Sequence, residues 1–190
     1  MNEEAQAQER ARAYFWSKSA LAPAAVREQI AAAFDALDAV LVTVPSERAG
    51  LRVIPGQWSV QEIVDHLVET YRPGLDELRC LLAGRRPPDP PIPANLQSKA
   101  PLLRPWPWLL DELGRAHRAI LELIDGVPAD FAGDARAPFT MVVNVPRPDG
   151  SARPLQWVED VEWRAYAIAS WRLHAIDHMK QARKVLAAYR

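Results

Sequence analysis

Apolar residues recur with helical spacing over most of the chain, and proline supplies most of the punctuation. Residues 23–44 (PAAVREQIAAAFDALDAVLVTV) open with a proline, which the first turn of a helix tolerates, and repeat apolar side chains at Val26, Ile30, Ala33, Phe34, Leu37 and Leu41. In GQWSVQEIVDHL, Ser59 is placed to cap a second helix, Glu62 to complete a capping box and Trp58 to pack against Ile63, so a helix is expected to run to about Ala83. Pro73 lies inside it and is expected to bend it, because the ring is bulky and the N–H is missing. Residues 84–104 (GRRPPDPPIPANLQSKAPLLR) are too proline-rich for regular structure and too long for a tight turn; they read as a crossing loop. A third helix over about 105–126 carries Leu109, Leu113, Ile120 and Ile124 on one stripe. FTMVVNV and SARPLQWV flank PRPDG and read as a short strand pair or an ordered loop. The longest helix is expected last, at about 157–189, with Val161, Ile168, Ile176, Met179 and Leu186 toward the core.

Four amphipathic helices and one long crossover predict an all-α four-helix bundle over residues 21–190, with a small β-hairpin before the last helix. Residues 1–20 read as an N-terminal arm or an extra helix. At 190 residues the chain can bury a core without disulfides, and its single cysteine, Cys80, excludes both an intrachain disulfide and a Cys-rich zinc site. Cys80 is expected as a small buried apolar residue. The N-terminal MNEEAQAQERARAYFW is charged where a secretory signal is apolar, and no run approaches the roughly 18 apolar residues of a membrane span. A soluble cytoplasmic protein with no membrane partner is expected. Lysine plus arginine (23) nearly balances aspartate plus glutamate (24), with no basic cluster, so a nucleic-acid partner is not expected.

The candidate chemistry lies in four histidines. His174 and His178 are four residues apart, so their imidazoles share a helix face with Cβ atoms about 5–6 Å apart, close enough to converge on one ion. A regular helical wheel places both on the flank of the apolar stripe, beside Trp171 and Gln181, and places His66 just outside the stripe of its own helix. A third imidazole from His66 leaves one or two coordination positions open, the arrangement of catalytic rather than structural zinc sites. His117 falls inside the apolar stripe of the third helix, and reads as a hydrogen-bonded core histidine or a pocket-lining group, the first being favoured. Asp65, Glu69 and Asp177 are close enough in sequence to orient an imidazole, but are expected, like Gln181, as solvated surface groups.

GQWSVQEIVDHL, with Trp-Ser opening a helix and a histidine eight residues after the tryptophan, together with the later HAIDHMKQ, resembles the DinB/YfiT-like superfamily of metal-dependent enzymes, most closely its YfiT-like branch. The likeness spans about residues 22–188, although Gln57 is inserted between Gly56 and Trp58. It implies an up-down-down-up four-helix bundle and a three-histidine metal site, which maps onto His66, His174 and His178. It also implies a divalent ion, zinc or nickel, acting in thiol transfer or thiol-dependent isomerisation. The proline-rich 84–104 segment and the 139–156 insert depart from the family pattern, so substrate contacts do not carry over.

Two functional readings follow. In the first the three histidines hold a divalent ion that acidifies a bound water, or holds a low-molecular-weight thiol as thiolate, making the protein a hydrolase or a thiol-dependent S-transferase on a small molecule, its catalytic residues and substrate-binding residues unassigned. The 84–104 loop would then cover the site and select substrate. In the second the metal is structural or absent and the bundle is a binding module. Seven tryptophans, with Trp106 and Trp108 in RPWPW, would supply aromatic anchors for a client or for a homodimer, the expected assembly.

Overall fold

The computed structural model describes residues 3–147 and 152–189 and is mostly helical with one small antiparallel sheet. In chain order it has α1 (Glu3–Lys18), α2 (Pro23–Leu41), the short α3 (Ser46–Ala49), α4 (Val60–Leu82), a 3₁₀ turn (Pro101–Leu103), α5 (Trp106–Asp125), strands β1 (Arg136–Pro146) and β2 (Ala152–Glu162), then α6 (Trp163–Ala167). A π-helical stretch, Ile168–Leu173, joins α6 to α7 (His174–Ala187) in one continuous rod. The N-terminal segment is thus a helix, packed against β1, with Arg12 also paired to Glu159 of β2. No helix among the described residues is long and apolar enough to cross a membrane.

The core is built from the faces that the apolar spacing marks. Val26, Ile30, Ala33, Phe34, Leu37 and Leu41 of α2, and Leu109, Leu113, Ile120 and Ile124 of α5, are all buried. α2 packs on α5 and on the last rod, and α4 packs on α5. At the start of α4 the Ser59 hydroxyl accepts from the Glu62 N–H, while the Glu62 carboxylate accepts from the Ser59 N–H at 2.9 Å, so two otherwise orphaned donors are satisfied. α4 continues through Pro73 to Leu82.

Two expectations fail at the end of the chain. Residues 157–162 are strand rather than helix, because the hairpin is longer than its apolar runs: Arg136 to Pro146 pairs with Ala152 to Glu162, odd-numbered residues facing inward on both strands. Val161 is buried from β2, and Glu162 ends the sheet by capping the next helix, its carboxylate accepting from the Arg164 and Ala165 N–H groups. The strand pair is therefore real; residues 148–150 of its PRPDG turn lie outside the described residues. Beyond the π stretch the buried residues are Ala175, Ala182 and Val185, whereas Ile176, Met179 and Leu186 are only half-buried. A π stretch carries more residues per turn than an α-helix, so the residues after it do not keep the phase that a regular wheel started at Ile168 assigns them.

The proline-rich segment has no regular structure beyond its 3₁₀ turn, yet it is tied down along the polar side of α4. Gln61 Nε2 donates to the Pro101 and Arg104 carbonyls, Gln97 Nε2 donates to the Glu62 carbonyl, and the Ser98 N–H and hydroxyl both donate to Asp65 at 2.8 Å. Arg104 adds ion pairs to Asp65 at 3.0 Å and Glu69 at 2.7 Å. This cover explains why residues 59–68 are buried on every side, Gln61, Glu62, Asp65 and His66 included. Asp65 is accordingly a fully buried anchor rather than a solvated acid. Two further corrections concern exposure. Cys80 is half-buried, and Trp106 is a core residue whose Nε1 donates to the Val44 carbonyl, while Trp108 lies half-buried beneath Arg72 and Arg104, so neither tryptophan is a free anchor.

Because Asp65 holds Ser98 and Arg104 together, Asp65→Ala leaves buried donors unpaired and is expected to cost about 2–3 kcal/mol in urea unfolding. Trypsin should also cut after Lys99 faster than in the parent protein, and an unchanged digestion pattern would show that the loop is held by other contacts.

Candidate metal centre

His66 enters the site from the covered side of α4 and is 1% exposed; His174 and His178 enter from the first two turns of α7 and are half-buried. The π stretch ends at Leu173, immediately before His174, so its wider turn helps to set the direction in which these two side chains leave the rod. The three rings converge. Their centroids stand 4.9 Å (His66–His174), 4.8 Å (His66–His178) and 4.6 Å (His174–His178) apart, and one ring nitrogen from each lies within 4.8 Å of the others. His66 Nε2 is 2.9 Å from His174 Nε2. Nitrogens each about 2.0–2.1 Å from a common ion stand at most about 4.2 Å apart, so the closest pair is already inside that limit and a small ring rotation brings in the third.

The other nitrogen of each ring is committed elsewhere. His66 Nδ1 lies 2.6 Å from the Leu96 carbonyl and His178 Nδ1 lies 2.7 Å from Gln181 Oε1. His174 is hydrogen-bonded to the backbone of Ser170. A carbonyl oxygen only accepts, so each Nδ1 carries the proton and each Nε2 presents a lone pair to the centre. With both protons placed in this way, His66 Nε2 and His174 Nε2 face each other lone pair to lone pair, an arrangement that a cation between them makes favourable. Trp58 covers the group, its ring 5.1 Å from His66 and stacked at 6.3 Å on His178, so it walls the site from water rather than only stapling its helix.

His117 is not brought to this point. It is 4% exposed, stacked 3.7 Å from Phe34 and bonded through Nδ1 to Asp38 at 3.2 Å, the core role that its place in the stripe implies. Gln181 is exposed, as expected, and its Oε1 also accepts from His178 Nδ1. Asp177 is exposed, as expected. The Leu96 carbonyl could not be found from residue types, because it is a backbone atom delivered by an irregular loop.

Residues 27–182 match the family model of the DinB superfamily. The chain belongs to the DinB superfamily. A crystal structure of an uncharacterized protein from Clostridium difficile 630 shares the fold of this DinB-superfamily chain at 12% sequence identity, with a TM-score of 0.54, covering 89% of this chain and 98% of that one. No curated protein matches the chain.

The three histidines of this DinB-superfamily chain open onto a cleft of about 890 Å³ walled by α1, α4, β1, the 92–94 segment and the last rod. Burial keeps the imidazoles neutral. It lowers the pKa of His66 against the opposing effects of the Leu96 bond and Asp65; it lowers His174 strongly, helped by His178 and His66; and it takes His178 to about 3, with His66 adding to the fall. Their lone pairs are therefore available near neutral pH without losing a proton first. The unfolded chain takes up protons near 6.5 where the folded chain refuses them, so stability present above pH 6.5 is lost as pH falls toward the depressed folded values. The metal-free protein is expected to unfold at lower urea at pH 5 than at pH 7.5, with a smaller difference in His178→Ala; equal midpoints for the parent protein at the two pH values would contradict the burial of neutral rings.

Proposed function

We propose that this protein is a metal-dependent enzyme of the YfiT-like branch, in which His66, His174 and His178 hold one divalent ion, zinc or nickel, at the wall of a small-molecule cleft. The reading rests on one observation above the others: His66 Nε2 and His174 Nε2 stand 2.9 Å apart, while His66 Nδ1 lies 2.6 Å from the Leu96 carbonyl and His174 is hydrogen-bonded to the Ser170 backbone. Three neutral imidazoles are a donor set that suits either metal. The helix start Gly-Gln-Trp-Ser and the His-x-x-x-His of the last rod support the branch assignment. We further infer that α2, α4, α5 and the last rod form the up-down-down-up bundle of that branch, with α1 and the hairpin added around the cleft.

A divalent ion at this point supplies Lewis acidity, which makes an anionic nucleophile available at neutral pH. The protein's own residues do the rest. Leu96, Ser170 and Gln181 fix the three rings in one tautomer, Trp58 and the buried face of α4 keep bulk water from His66, and the cleft holds a small electrophile beside the histidines. The reaction is nucleophilic displacement or hydrolysis, with a low-molecular-weight thiol or water as the nucleophile. We place the enzyme in the cytoplasm, acting as a homodimer.

Purified protein dialysed against zinc or nickel is expected to retain one equivalent of ion, and His66→Ala or His178→Ala to fold but lose it. Gln181→Leu should weaken metal affinity by about 10–100-fold, since the orienting bond to His178 is gone. Turnover of an electrophilic substrate with and without added thiol then separates transfer from hydrolysis. A folded parent protein that retains no ion after either dialysis would overturn the reading.

A further inference from the structure

The cleft has a second polar end. On α4 the residues facing it are His66, Thr70, Gly74 and Glu77, spaced so that Glu77 lies about 16 Å farther along the helix axis than His66. Glu77 is 7% exposed, and its Oε2 accepts from the Tyr166 hydroxyl at 2.5 Å. Gly74 lies between Thr70 and Glu77 on α4: a Cβ there would stand in ordinary contact, 3.5 Å from the Tyr166 hydroxyl and 3.9 Å from Ile92.

Three acids are buried among the described residues: Glu62, Asp65 and Glu77. Glu62 is paired with Arg52, through Nε at 2.9 Å, and Asp65 with Arg104. Among the described residues no arginine, lysine or histidine pairs with Glu77, and Asp89 is close enough to add negative potential. Burial raises its pKa, with the Tyr166 bond opposing and Asp89 reinforcing the rise. A buried carboxyl lacking a cation is costly unless something enters to complement it, and this one lies on the wall of an open cleft. Between it and the histidines the walls are largely apolar, with Ile92, Phe139, Met141 and Leu173.

We propose that Glu77 is the binding group for a protonated primary amine at one end of a small ligand, whose apolar middle lies along β1 and whose other end reaches the histidine cluster. Tyr166 holds the carboxylate by one oxygen and leaves the other to the ammonium. The proposal names the substrate class of the cleft described above, and rests on the metal-enzyme reading only for what happens at the histidine end; amine binding itself needs no ion.

The test titrates hexylamine, and hexanol as the uncharged match, into the metal-free full chain at pH 7.5 by calorimetry. The amine is expected to bind at least about tenfold more tightly than the alcohol, the scale of one charged hydrogen bond. Glu77→Gln should abolish the difference, while His178→Ala and Tyr166→Phe, which leave the carboxylate in place, should retain it. Equal binding of amine and alcohol to the parent protein, or an amine preference that survives Glu77→Gln, would overturn the proposal. So would loss of the preference in Tyr166→Phe, since the carboxyl would then serve only its bond to that ring. Titrations of zinc and of nickel into the parent protein keep the two readings apart: preference for the amine in a parent protein that holds neither ion sinks the metal enzyme and leaves the amine site standing.

Discussion

The bond from His66 Nδ1 to the Leu96 carbonyl is the constraint on which the rest of the structure depends. It joins the helix that carries the first candidate ligand to the irregular segment that covers it, and it decides which nitrogen of that ligand faces the cleft. For Leu96 to stand there, the proline-rich loop must lie along α4. It does so because α4 presents Gln61, Asp65 and Glu69 to it in successive turns, and the loop returns Pro101 and Arg104 carbonyls, the Ser98 N–H and the Arg104 guanidinium. A polar helix face is thereby buried with its groups satisfied. Prolines suit the task because they lack N–H groups that would themselves need partners.

Much of this was legible in the amino-acid sequence, and the failures have physical causes. The capping box at Ser59 and Glu62 is a local device with a local signature, and it forms as its spacing implies. The i, i+4 pair of His174 and His178 is likewise local. What a regular helical wheel could not place is their direction, because six residues of π-helix precede them and rotate everything downstream. Asp65 read as solvated because polar residues on helices usually are, and its partner Ser98 is supplied by a loop that has no periodicity; Gln181 is exposed as read, and its position did not reveal the bond to His178. The hairpin exceeded its apolar runs because pairing extends through polar positions such as Arg136 with Glu162 once the register is set.

The cleft is polarised by contrast with the core around it. At one end three imidazoles are held neutral by burial; at the other a carboxyl is buried with a tyrosine and, among the described residues, no cation. Glu62 and Asp65, buried just as deeply, each have an arginine, so the chain matches buried acids with cations where they serve only the fold. The hairpin and α1 complete the enclosure. They sit over the open side of α4 and the last rod, bringing Phe139 and Met141 from β1 and Tyr14 and Phe15 from α1 to a wall that the helices alone would leave open.

The account stands on the placement of three protons, and long-range proton–nitrogen correlation spectra of the imidazoles in the metal-free protein at pH 7 read it directly. Neutral rings protonated on Nδ1 at His66, His174 and His178 are the predicted result. A proton on Nε2 of any of the three would point it into the space assigned to the ion and contradict the account.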